Sequence, residues 1–311
     1  MAQKNPFSFP LNIQSETGKL NSVVLGIAQE SGEMDSPEEC YDPKSKYFLK
    51  QNLFPKENDC IEEMEGVAKI LEKHGVEVFR PVNISDVNQI FSRDISFVIE
   101  NRFFRTNIIE DRAEEVKGIQ YITDQIPESN FIQVPIECRI EGGDVIVHGN
   151  HLFVGYSQEP DFSKYTVART NRAGVDFLQQ QFPEKTIHAF ELVKCDDDPF
   201  HNALHLDCCF QPFGEKFALI YPGGFKNKSD FDFLLNFFGK ENVIEISQQE
   251  MFNMGCNVFS ISPKVLISAQ HLPRINAEIR QKGVTVEETP YFEVAKMGGM
   301  FRCSTLPLNR D

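Results

Sequence analysis

Three short segments of this 311-residue sequence concentrate ionisable side chains, two of them beside a glycine pair. In Arg139-Ile140-Glu141-Gly142-Gly143-Asp144, just before an apolar β-branched run, the glycine pair permits backbone geometry that other residues resist. That suits close approach by a ligand, and it equally suits a tight turn with solvated carboxylates. The second segment, His201-Asn202-Ala203-Leu204-His205-Leu206-Asp207, carries two histidines four apart. On a helix they would suit a metal, but no further His or Cys cluster stands at ligand spacing, and a histidine satisfied within the core is the plain alternative. The alternation of His205, Asp207 and Cys209 instead predicts an extended stretch with all three on one face, so that His205 and Asp207 address one ligand. The third segment runs from Gly298 to Thr305, where Cys303 follows a Gly-Gly pair and Arg302, whose charge favours a reactive thiolate. A lone cysteine is otherwise an inert core residue. A fourth segment, Ser92-Arg93-Asp94-Ile95-Ser96-Phe97, puts an Arg-Asp pair at the mouth of a predicted strand.

The elements that must position these residues repeat. Five helical patterns each run into a short β-branched strand: CIEEMEGVAKILEKHG into VEVFRPV, AEEVKGIQYITDQIPES into NFIQVPI, NRAGVDFLQQQFPEK into TIHAFELV, SDFDFLLNFFGKE into NVIEIS, and LPRINAEIRQKG into VTVEETP. The strands start near residues 76, 131, 186, 243 and 284, so four units recur at intervals of about 55 and the last is shorter. Extended pairs lie between them, with ENR, HGN and SPK as hairpin turns. The predicted unit is a β-hairpin, a helix and another strand, repeated five times. Cyclic closure of such units leaves a central channel on which residues from several repeats converge.

No Ser- or Gly-rich linker and no low-complexity tract divides the chain, so residues 1–311 read as a single domain. The net charge of -15 argues against a nucleic-acid partner. It accommodates a cationic substrate, and it also serves solubility alone. No stretch approaches the roughly 20 apolar residues of a membrane span. The opening MAQKNPFSFPLNIQ lacks a basic region followed by an apolar run, so no secretory leader is expected, the eight cysteines should be mostly reduced and the location cytoplasmic.

Taken in order, RDxxFVI, EGGDV, RTNxxG, HLD and the terminal GGxxRCxTxPL resemble the guanidine-modifying superfamily of arginine deiminases, dimethylarginine dimethylaminohydrolases and arginine amidinotransferases. The resemblance runs from about Ser92 to Asp311 and implies a pentein-like, five-bladed α/β propeller of ββαβ repeats with pseudo-fivefold symmetry. It makes Cys303 the nucleophile, His205 the acid–base partner and Glu141 the third proton-handling group. It sets Asp94 and Asp207 on the guanidinium nitrogens, adds Asp144 to the substrate-binding residues, and matches Arg169 with an arginine that in deiminases helps hold the substrate carboxylate. It needs no metal and no organic cofactor; the implied partner is a small cationic guanidino compound, and self-association into a homo-oligomer is left open.

The chemistry fits these residue types. A guanidinium stays protonated at ordinary pH, so its carbon is a poor electrophile, and paired carboxylates are needed to hold its plane. Cysteine thiolate is the strongest side-chain nucleophile near neutral pH. Within the superfamily, EGGD is the pattern of deiminases and dimethylaminohydrolases, whereas amidinotransferases carry Asp-Ala-Ala-Asp. Asp207 stands where dimethylaminohydrolases have lysine, and RCSTLPLNRD resembles a deiminase ending. The expectation is therefore a deiminase-type hydrolase, with an amidinotransferase or a dimethylarginine dimethylaminohydrolase as the alternative. Two departures stand out: Lys296-Met297 in place of an arginine-rich lead-in to Gly298, and an insertion over 158–168 that serves as a lid or an ordinary surface loop.

Overall fold

The computed structural model describes residues 10–32, 34 and 36–311; the MAQKNPFSF part of the segment read for a leader lies outside them. The first strand, β1 (Leu20–Leu25), is buried at every position. Two helices follow, α1 (Pro43–Lys50) and the amphipathic α2 (Glu57–Lys73), which turns Cys60, Met64, Val67, Ala68 and Leu71 inward. Strand β2 (Glu77–Phe79) then pairs parallel with β1.

The next unit is a hairpin of β3 (Ser96–Ile99) and β4 (Arg102–Arg105), with β5 (Phe131–Gln133) parallel to β4. The third is β6 (Val145–His148), β7 (His151–Tyr156), helix α3 (Arg172–Gln181) and β8 (Thr186–Glu191). The fourth is β9 (Phe210–Phe213), β10 (Phe217–Ile220), α4 (Lys228–Phe238) and β11 (Val243–Glu245). The fifth is β12 (Phe259–Ser262), β13 (Val265–Ala269), α5 (Pro273–Gln281) and β14 (Thr285–Thr289). The last strand, β15 (Thr305–Arg310), returns to pair antiparallel with β1. Five three-stranded sheets result, each an antiparallel pair followed by a parallel third strand, so the fold is α/β. The expected hairpin turns all fall between paired strands.

Two expectations fail. The helix expected over AEEVKGIQYITDQIPES is a 3-10 stretch, Glu110–Ile119, with a single α-turn at Gln120–Thr123. Residues three apart eclipse in a 3-10 helix, and this aligns Arg112 with Glu115 so that both face inward and bond to each other. The stretch from His205 to Cys209 is not extended either. Leu206–Cys208 forms a 3-10 turn, closed by Cys208 N–H donating to the His205 carbonyl, and strand geometry starts only at Phe210. The 158–168 insertion is tied down: Asp161 binds Lys226 at 2.7 Å, and the Thr166 and Val167 amides donate to Asp196.

Two apolar clusters fill the interior. One gathers β9, β10, β12, β13 and α2 around Phe210, Phe213 and Phe259; the other gathers β3, β4, β6 and β7 around Phe97, Phe103 and Phe104. All eight cysteines are free thiols, and six of them are buried. Among the described residues no helix is long and apolar enough to cross a membrane.

Candidate active site

The chain segments between strands deliver the ionisable residues to one place. Glu141 ends its approach to the Gly142–Asp144 turn in extended backbone, with its amide held by Thr170 Oγ1 at 3.2 Å. Its carboxylate lies 2.9 Å from His205 Nε2, and His205 Nδ1 lies 3.5 Å from Asp94 Oδ1. Gly143 makes room for the ring, since a Cβ there would stand 2.6 Å from His205 Nδ1. Asp94 comes from the helical turn Ser92–Ile95 that leads into β3. It does not pair with Arg93, the neighbour the sequence suggested. Its cation is Arg112, whose Nη1 donates to Asp94 Oδ2 at 2.8 Å.

Cys303 arrives just ahead of β15. Asn257 clamps its loop, accepting the amides of Met300, Arg302 and Cys303 on Oδ1, and its Nδ2 lies 3.2 Å from Cys303 Sγ. The thiol sits 3.6 Å from Asp207 Oδ2. Arg302 does not favour the thiolate as the sequence suggested. Its guanidinium is engaged by Asp207 at 2.9 Å and by Glu16 at 3.0 Å, and it also donates to the Val145 carbonyl at 2.7 Å. Burial, with Asp207 and Asp94 adding to it, pushes the Cys303 thiol well above its ordinary value.

His205 behaves oppositely. Burial works to lower its pKa, but Asp94, the bond from Glu141 and the charge of Asp144 prevail and raise it to about 9. It is therefore an imidazolium at neutral pH. Burial works against the charge on Glu141, but Arg169 and His205 hold its carboxyl well below the usual carboxylate range.

Cys303, His205, Asp94 and Arg169 line one pocket together with Arg112 and Tyr41. Asp207 and Glu141 stand directly behind Cys303 and His205. Asp144 is fully buried, and its Oδ1 accepts the Leu206 amide at 2.9 Å, fixing the turn that carries His205. Arg169 reaches the pocket with its donors occupied: Nη1 on Glu141 at 3.2 Å, Nη2 on the Tyr41 carbonyl at 3.0 Å, and Nε on the Thr166 carbonyl at 3.1 Å.

Oxygen and nitrogen donors of Asp94, Glu141 and His205 lie within 4.8 Å of one another, close enough to be weighed as a metal-binding set. Arg112 and Arg169 already neutralise two of those three groups, and a second dense positive charge there would repel them. Nothing local marks Asn257 in the sequence, where it is one polar residue inside an apolar run. Arg112 had a weak signal, an arginine amid acids with Glu115 three residues on.

Known proteins sharpen this reading. Residues 42–310 match the family described as N,N dimethylarginine dimethylhydrolase, eukaryotic. The chain belongs to this family, within the guanidine-modifying superfamily, and is a guanidine-modifying C–N hydrolase. It is 30% identical over 300 residues to the uncharacterized protein YkgA of Bacillus subtilis, covering 96% of this chain and 94% of that one. The arginine deiminase of Oenococcus oeni is 24% identical, over 80% of this chain and 67% of the deiminase. Among solved structures, the N-terminal domain of ArgZ, an arginine dihydrolase of cyanobacteria, superposes with a TM-score of 0.77 at 16% identity, over 93% of this chain and 98% of that domain.

Proposed function

We propose that the protein hydrolyses the guanidino group of arginine or a close analogue through a covalent thioether on Cys303. The observation that carries this reading is the convergence of a buried thiol, a charged histidine and carboxylates on one pocket, with Cys303 Sγ 3.6 Å from Asp207 and His205 2.9 Å from Glu141. Asp94 and Asp207 receive the N–H groups of the guanidinium and hold its plane across Cys303. The free thiol is kept neutral by burial beside these two carboxylates, so an arriving guanidinium cancels the charges that suppress the thiolate and activates the nucleophile that attacks it.

As the guanidinium settles, the Cys303 thiol releases its proton to water, and the resulting thiolate adds to the guanidinium carbon. The C–N bond to the leaving nitrogen then breaks as the His205 imidazolium donates its proton, releasing ammonia or a small amine. Now neutral, His205 takes a proton from water. The hydroxide adds to the thioether carbon, the C–S bond breaks as the hydroxyl proton passes to the departing sulfur, and the urea product leaves with the neutral Cys303 thiol restored. Glu141 holds the ring in line for both transfers and stabilises its charged form. Arg169 sets the position of Glu141, and Asp144 that of the His205 turn. The five like sheets, with β15 pairing against β1, support a five-bladed pentein-like propeller around this pocket, folded as one domain; a cytoplasmic location belongs to the same reading on the sequence alone.

The family match favours a second reading of the same chemistry, in which the leaving group is a methylated amine. Asp207 speaks for an unmethylated nitrogen, because a carboxylate wants N–H donors. Product analysis by mass spectrometry decides between them. L-arginine giving citrulline and ammonia without an amine acceptor establishes deiminase-type hydrolysis. Dimethylarginine giving citrulline and dimethylamine, with L-arginine untouched, selects the second reading. Ornithine formed only when glycine is added makes the protein an amidinotransferase. Cys303→Ser abolishes turnover and leaves the fold intact; full activity in that variant removes the mechanism.

A further inference from the structure

The Cys303 sulfur is surrounded by groups that oppose its ionisation. Asp207 Oδ2 lies 3.6 Å away, and burial, Asp207, Asp94 and the Cys208 thiol all hold the thiolate back, with the Met300 amide working the other way. Among the described residues no cationic side chain bonds to this sulfur; Arg302, its chain neighbour, is engaged by Asp207 and Glu16. An arriving guanidinium offsets the carboxylates, but its N–H groups point at them. The charge that forms on sulfur still needs a donor, because Cys303 is only 3% exposed to solvent.

Asn257 meets that need. It is fully buried on the turn that runs into β12, with its own amide donating to the Met254 carbonyl at 2.9 Å. Its side-chain oxygen accepts three backbone amides, from Met300 and Arg302 at 3.1 Å and from Cys303 at 3.2 Å. Three donors on one oxygen leave a single orientation for the carboxamide, because the flipped form would set its NH2 against three N–H groups. The nitrogen therefore faces acceptors, the Asp207 carbonyl at 3.4 Å and Cys303 Sγ at 3.2 Å. The same three bonds polarise the carboxamide and make its N–H a stronger donor. A neutral donor so placed stabilises an anion without competing with a guanidinium for Asp94 or Asp207, as a second cation would.

We propose that Asn257 is a catalytic residue, whose carboxamide N–H binds the Cys303 sulfur and stabilises the thiolate that attacks the guanidinium carbon. This rests on the guanidine reading above. The thiol proton still leaves to water, and Asn257 keeps both of its own. Clamp and donor are one group, so the bonds that fix the Cys303 loop also aim an N–H at its sulfur.

The test is the rate at which iodoacetamide alkylates Cys303 at mildly alkaline pH, followed by peptide mass spectrometry in the wild type, Asn257→Ala and Asn257→Asp. Because burial keeps the thiol mostly neutral, this rate at fixed pH reports the thiolate fraction. Asn257→Ala removes the donor and adds no charge, and alkylation is expected to slow by about 10- to 100-fold. Asn257→Asp keeps an oxygen on the three amides, loses the donor and adds a charge, so it is slower still. A residue that only clamped the loop would act in the opposite sense, since its loss would open the sulfur and speed alkylation. A rate in Asn257→Ala equal to or above that of the wild type overturns the proposal. Slowing confined to Asn257→Asp overturns it too, because that is the added charge alone.

A second measurement leaves Asn257 in place, should Asn257→Ala not fold. By NMR, one Asn257 Nδ2 proton of the wild type resonates downfield of its position in Cys303→Ala; identical positions remove the bond to sulfur and the assignment with it. Neither readout needs turnover. Should the wild type act on no guanidine at all, the proposed function fails, and the alkylation rates still decide whether Asn257 stabilises the thiolate.

Discussion

The ring of His205 is positioned from three sides, and each side has its own consequence. Gly143 touches it most closely: an added Cβ would stand 2.6 Å from Nδ1 and 2.7 Å from Cγ. Gly143→Ala therefore tilts the imidazole away from Glu141 and Cys303, and a displacement of that kind costs about 100-fold in kcat. Steady-state kinetics beside an unchanged circular dichroism spectrum checks this. Glu141 helps set the charge of the ring, whose pKa stands near 9 with that contact in place. In Glu141→Gln the carboxylate charge is gone, so the His205 titration moves down from about 9 towards its ordinary value, as NMR of the imidazole resonances would follow. A titration that stays put would mean that Asp94 and Asp144 alone hold the proton. At this scale the sequence pointed to groups that the structure brings together, because EGGD, HLD and the terminal cysteine stand in one order. It did not show how Arg302 spends its charge, since its partner Glu16 is 286 residues away and nothing local marks the pair.

Among the elements, helices with a plain apolar stripe were legible. The third strands were expected at 131, 186 and 243 and begin at Phe131, Thr186 and Val243. What misled was local pattern overruled by tertiary demand. The Glu110–Ile119 stretch winds as 3-10 to bring Arg112 to Asp94, and the Leu206–Cys208 turn interrupts an alternation that resembles a strand. The segment before β1 shows how an irregular element can carry the site. Glu16, 3% exposed, binds the Arg302 guanidinium that in turn holds Asp207. Glu16→Gln leaves that guanidinium buried with one anion fewer, a loss of about 3 kcal/mol in stability. Burial opposes the Glu16 charge, but Arg302 and Arg93 hold its carboxyl at about 2 when folded. A depressed carboxylate contributes its stability above its ordinary pKa of 4.5 and loses it as pH falls through about 2. Denaturant midpoints of wild type and Glu16→Gln should thus differ fully at neutral pH and converge on acidification; a gap that persists at pH 2 would contradict this.

For the whole molecule, repeat length was the informative signal, because each unit contains the same hairpin, crossover and third strand. The unit missing from the end of the sequence is completed by its beginning: β15 supplies the strand that β1 and β2 lack. Leu306 and Leu308 on β15 are fully buried and pack with Val24, Ile95 and Phe97. Leu306→Ala is expected to cost about 3 kcal/mol, and because Cys303 lies just before β15, activity should fall below the denaturation midpoint. Thermal melts paired with activity measured along the same ramp would show it; activity lost only at global unfolding would separate the strand from Cys303. The same pairing sets a timetable for folding. Asn12 donates to the Arg310 carbonyl across 298 residues, a contact that spans almost the whole chain. Such pairings form late, since the loop between them must first be closed. Until then β1 carries an unpaired edge open to strands of other chains, and the refolding yield should fall with protein concentration more steeply than native stability alone would suggest.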